Sequence, residues 1–111
     1  GINILRDKVQ FSFSQKQLLD CIRSAAAQGR YIITNHATER MNERDISRIM
    51  IEACLLTGHI QPNRPVKFND EFNTYECRIS NYFAGVHYDV VAALDPADPT
   101  VIVVTVIDTE E

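Results

Sequence analysis

Apolar positions recur at helical spacing through the first half of this chain and at strand spacing through the second. Leu18, Leu19, Ile22, Ala25 and Ala26 share one helical face, Ser14-Gln-Lys-Gln17 opens that helix with a capping-box pattern, and Gly29 closes it. Tyr31-Ile-Ile33 reads as a short extended entry to a second helix, with Asn35 as its expected N-cap and Ala37 and Met41 as its apolar stripe. Ser47 is the expected cap of a third helix with Ile49, Met50, Ala53 and Leu56 toward the core and Gly58 at its end. A turn-rich stretch through Pro62, Pro65, Asn69 and Asp70 leads to three strands, roughly from Thr74 to Tyr82, Val86 to Leu94 and Val101 to Asp108. The turns between them fall at Ala84-Gly85 and across Pro96 to Pro99. Short connections imply antiparallel neighbours. The expected fold class is therefore α+β: two to three N-terminal helices on one face of a C-terminal, three- to four-stranded antiparallel sheet.

Alternation assigns the strand faces. Tyr75, Cys77 and Ile79 look inward, with Glu76, Arg78 and Ser80 opposite. In the next strand Val86, Tyr88, Val90, Ala92 and Leu94 share one face, and His87 and Asp89 lie on the other. The last strand, VIVVTVID, is apolar on both faces and reads as a central or well-covered strand, with Thr105 its only polar interruption before Asp108.

Size and composition narrow the class. A chain of 111 residues is expected to form one domain over 1–111 around a single core, with Gly1 a candidate tag remnant. No apolar run approaches the roughly 18 residues needed to cross a bilayer, and no signal peptide is visible, so a cytoplasmic location without membrane contact is expected. Cys21, Cys54 and Cys77 are odd in number and show no C-x-x-C spacing, which argues for small core residues over disulfides or zinc. The three histidines show no metal-ligand spacing, and no metal or other cofactor is expected.

Charge changes the picture more than composition does. Residues 1–67 carry ten basic and six acidic side chains, a net +4; residues 68–111 carry one basic side chain, Arg78, and nine acidic ones, a net −8. One face can attract phosphate while the sheet end repels it. The pI near 5.3 runs against the basic balance usual in nucleic-acid binders.

The most chemical segment is Thr34 to Ser47, TNHATERMNERDIS. His36, Arg40 and Arg44 fall at i, i+4 and i+8 and so stack on one helical stripe. Two arginines at that spacing repel unless an anion lies between them, either a protein carboxylate or a bound phosphate. Glu39 and Glu43 are expected to face solvent.

This segment, the helix ending Thr57-Gly58-His59-Ile60 and the terminal VIVVTVI strand resemble the bacterial domain of unknown function numbered 4258. Its pattern is a strand, His-Ala-x-x-Arg-Met-x-x-Arg-x-Ile-[Ser/Thr], a helix, and a sheet closing with a Val-Thr-Val-like strand. Asp45 stands where that family often has Gly. The family is similar to RelE-like toxins and to the barnase–EndoU–colicin–RelE group, many of whose members are metal-independent ribonucleases restrained by an antitoxin. The resemblance implies His36 as acid or base, Arg40 and Arg78 on the phosphate, and Thr105 on the phosphate or orienting His36. Arg44, His87 and Tyr88 are weaker candidates for phosphate or base contact. It also implies RNA and a cognate antitoxin as partners. The competing expectation is a non-catalytic interaction module in which the His/Arg cluster is structural: His36 as a cap, the arginines in ion pairs, and His59 and His87 as plain surface residues.

Overall fold

The computed structural model describes residues 14–61 and 66–108. Helix α1 (Gln15–Ala27) begins at Ser14, whose hydroxyl accepts from the Gln17 amide at 3.0 Å while the Gln17 side chain accepts from the Ser14 amide, also at 3.0 Å. Both halves of the capping box are thus made. Strand β1 (Tyr31–Ile33) leads into α2 (Asn35–Arg44), followed by α3 (Arg48–Thr57). Then come β2 (His59–Ile60), β3 (Lys67–Asn69), β4 (Thr74–Phe83), β5 (Val86–Asp95) and β6 (Asp98–Asp108).

The sheet corrects the sequence expectation in two respects. It has six strands rather than three or four, and it is mixed, because β1 pairs in parallel with β6. The main order is β1-β6-β5-β4-β2, with β3 also pairing β4. The stretch Tyr31–Ile33, read as a short extended entry to a helix, is extended and is also a strand of the sheet, in register with Val101, Ile102 and Val103. Three residues are too few for alternation to declare a strand, and their partner lies about seventy residues away, beyond the reach of any local pattern. The same pairing explains why β6 is apolar on both faces: with β5 on one side and β1 on the other, it is an interior strand. An all-antiparallel, RelE-like or barnase-like sheet does not describe this molecule.

The three helices among the described residues pack against one sheet face around a single core. Leu18 and Ile22 of α1, Ala37 of α2, and Ile51 and Leu55 of α3 meet Ile79, Val90, Leu94, Val101 and Val103 from the strands, all without solvent access. In α3 the core stripe is Met50, Ile51, Cys54 and Leu55, one step round from the expected set, and Ile49 is left 69% exposed. Ile51, with its neighbours one turn on, presents the larger continuous apolar surface to the sheet, and this sets the helix rotation. Arg23 ties α1 to the end of α3 by donating to the carbonyls of Leu56, in the last turn, and Gly58, at the C-cap.

Gly58 allows α3 to turn directly into β2. A Cβ there would sit 2.6 Å from the Cys54 carbonyl oxygen, 2.6 Å from Ile79 Cγ2 and 2.8 Å from the Ser80 carbonyl oxygen. Asp45 ends α2 in the left-handed conformation at φ 55°, which is most easily adopted by glycine and tolerated by Asp and Asn. The glycine that often occupies this position in the sequence pattern is thereby accounted for.

Candidate functional site

The beginning of α2 is fastened to β6 by one residue. Thr34, not Asn35, is the N-cap: its hydroxyl oxygen accepts from the Ala37 amide at 3.0 Å and donates to the Val104 carbonyl at 3.2 Å. The Thr34 amide also donates to the Val103 carbonyl at 3.2 Å. The single hydroxyl of Thr34 thus accepts from the helix and donates to the strand at once. Inside the helix, Ala37 and Met41 face the core as their spacing predicts.

His36 sits in the first turn, exposed, and its imidazole makes no hydrogen bond among the described residues. The capping role is already filled by Thr34, so capping does not explain His36. Arg40, one turn on, pairs with Glu43 at 2.5 Å, with both side chains open to solvent at 38% and 53% exposure. Exposed pairs of this kind contribute ~0–1 kcal/mol and yield readily to a stronger anion. Arg44 is half-buried and donates from Nε to the Val106 carbonyl at 3.3 Å, lashing the end of α2 to β6.

A β-bulge at Val104 shapes the strand beneath. Val91 pairs with Thr105 while the next residue, Ala92, pairs with Val103. Thr105 is thereby set on the sheet face turned away from the core, in one row with Val91 and Arg78. Arg78 donates from Nε to Asp89, whose side chain is only 1% exposed. Its guanidinium charge is met inside the fold by a carboxylate that burial makes a demanding partner.

The remaining candidates lie elsewhere. Tyr88 is fully buried; its hydroxyl donates to the Met50 carbonyl and accepts from Asn81 at 3.1 Å, and burial raises its pKa. It joins β5 to α3 and presents no ring for stacking. His87 is exposed near the β4–β5 turn, with its ring centroid 4.4 Å from that of Tyr82. His59 is exposed on β2. The structure therefore brings α2, with His36, Arg40 and Arg44, against β6, while Thr105 of that strand is turned to the other face of the sheet. Arg78 lies two strands away on the open face, His87 lies at the far hairpin, and Tyr88 is in the core.

The thiols offer no nucleophile at this seam. Burial pushes Cys54 and Cys77 up to about 12, and Cys54 also donates to the Ile79 carbonyl at 3.4 Å. Among the described residues no group of three or more His, Cys, Asp or Glu side chains is arranged to hold a metal. No helix among them is long and apolar enough to cross a membrane.

Two features were not singled out from sequence. One is Asp89 as the partner of Arg78; counting back from the Ala84-Gly85 turn sets Ser80 opposite Asp89 and would have found it. The other is a trough of about 650 Å³ on the open sheet face, floored by Ile32 and Ile102. Its signal was the apolar second face of the last strand.

Among curated proteins and among solved structures, nothing matches this chain. Residues 33–108, which hold α2, α3 and all of the sheet but the start of β1, match the family model described as Domain of unknown function (DUF4258), and the chain belongs to that family.

Proposed function

We propose that this domain is a metal-independent endoribonuclease of toxin type, with His36 as its proton-transfer group. The observation that carries this reading is the free, exposed imidazole of His36, set by the Thr34 cap at the seam between α2 and β6. In the proposed step the RNA 2′-hydroxyl loses its proton to a base and its oxygen attacks phosphorus. The bond from phosphorus to the 5′-oxygen breaks and the leaving oxygen takes a proton, giving a 2′,3′-cyclic phosphate and a 5′-hydroxyl. His36 acts as acid or base and Arg40 leaves its exposed pair with Glu43 to hold the phosphate, while Thr105, turned to the other sheet face, takes no part. Arg44 and Arg78 support the seam and the sheet, each with its own partner in the fold. Kinship with RelE-like toxins, despite a six-stranded mixed sheet in place of an all-antiparallel one, and restraint by a cognate antitoxin belong to this same proposal.

A second reading is favoured by the engagement of all three arginines: Arg40 with Glu43, Arg44 with Val106 and Arg78 with Asp89. On that reading the domain is a non-catalytic interaction module. Induced expression of wild type and His36→Ala at matched soluble levels separates the two. Growth arrest by wild type alone, with RNA fragments ending in cyclic phosphate in the presence of EDTA, supports the ribonuclease. Harmless expression of both, with intact RNA, overturns it.

A further inference from the structure

We infer that the trough on the open face of the sheet is a docking site for a basic, apolar segment of a partner protein. Its floor is hydrophobic and uncovered. Ile32 of β1 is 57% exposed, and Phe72, from the turn between β3 and β4, is 65% exposed. Ile102 lies beside Ile32 in the β1–β6 register. Large apolar side chains left in water on a continuous sheet surface mark an interaction site rather than a plain exterior.

The rim selects the partner by charge. Among the described residues twelve line the trough; three of them, Glu76, Asp95 and Asp98, are carboxylates, and none of the twelve is Lys, Arg or His. Asp95 already accepts from the Ala97 amide at 2.9 Å and from Asn73 at 3.3 Å, so it holds the turn as well as contributing charge. Glu76, which stands opposite Lys67 in the β3–β4 register, and Asp98 make no side-chain hydrogen bond or close ion pair among the described residues and can turn to lysine or arginine side chains of a partner. Like-charged partners are repelled by the same groups, so the rim sets specificity as well as attraction.

The openness of the trough selects the partner by size. A small-molecule site usually buries 70–90% or more of its ligand. Here two of the main floor residues remain more than half exposed, and a small cation would stay largely in water. An extended segment that lays apolar side chains on Ile32, Ile102 and Phe72 while its cations reach the rim covers the whole surface. This inference is independent of His36 chemistry, because Ile102 and Glu76 take no part in the proposed cleavage.

The test uses the full chain labelled with nitrogen-15 and a capped ten-residue peptide of alternating lysine and leucine. Lysine–serine and glutamate–leucine peptides of the same length serve as controls. The expected result is saturable shifts at Ile32, Glu76, Ala93 and Ile102. The expected loss of affinity is about tenfold or more for Glu76→Gln with Asp98→Asn, and similarly for Ile102→Ser. Neutralising two distant acids, Asp20→Asn with Glu39→Gln, is expected to change affinity less than about twofold. Equal weakening by the distant pair overturns the proposal, as does equal binding of the lysine–serine peptide. Absence of shifts in the trough, binding of butylammonium as tight as that of the peptide, or self-association of the chain through this face would each overturn it too. Each variant's folding is checked by its amide spectrum, so that lost binding is not mistaken for lost structure.

Discussion

The two faces of the sheet solve different problems with the same strands. On the helix-covered face Ile79, Tyr88, Val90, Ala92, Leu94, Val101 and Val103 are sealed from water, and the Tyr88 hydroxyl has its partners. On the opposite face Arg78, Val91 and Thr105 form a row with no helix above it among the described residues, and Ile32, Ile102 and Glu76 lie in the neighbouring row with Ala93. The covered face follows a packing rule, in which each side chain is held by volume. The open face carries the Arg78–Asp89 charge pair and leaves Ile32 in water. Stability should therefore reside in the first and recognition in the second, with Arg78–Asp89 as the exception.

That exception gives the largest expected effect. Arg78→Met leaves Asp89 buried without its cation and should cost about 3–5 kcal/mol in urea unfolding, whereas Arg78→Met combined with Asp89→Leu should recover most of it. An equal loss in single and double variants would mean that the pair is not the cause. On the covered face, Ile79→Ala should cost roughly 2–5 kcal/mol by the same measurement, because the helices cannot close the cavity. Next comes Gly58→Ala, at about 1–3 kcal/mol, since its Cβ would press on two backbone oxygens and Ile79.

Alkaline pH sharpens the comparison further. Cys54 and Cys77 on the covered side are held up to about 12 by burial, so the native state keeps protons that the unfolded chain releases above about 9. Stability should then fall between those values by up to about 1.4 kcal/mol per pH unit for each thiol. Denaturant midpoints from pH 8 to 11 provide the check, and a flat profile contradicts the assignment. The smallest effect belongs to the open face: Ile32→Ser should change stability by no more than about 0.5 kcal/mol.

The sequence made the helices legible because their signals are local. Ser14, Gly29, Ser47 and Gly58 act within one turn of where they stand, and the structure puts caps or ends there. The inward sets of β4 and β5 were equally visible, since alternation needs only one strand. What stayed hidden depends on partners far along the chain. Three residues of β1 carry too little pattern to reveal a pairing with β6, and two-residue β2 carries less. The His36 stripe was legible as spacing. Its chemistry was less so: the partners of Arg44 and Arg78 are Val106 and Asp89, each on a different element. Thr34 displaced Asn35 as the cap because the strand it also binds could not be foreseen.

The β1–β6 pairing also has a consequence in time. Tyr31 emerges during synthesis about seventy residues ahead of Val101, a delay of roughly 4–14 s at ordinary elongation rates. Throughout that interval α1 and α3 can find each other, but Thr34 has neither Val103 nor Val104 to hold, and the seam beside His36 does not exist. A nascent chain stalled before Val101 therefore carries the whole His36 motif without the strand that gives it a setting. Whatever this site does is withheld until the last strand has been made.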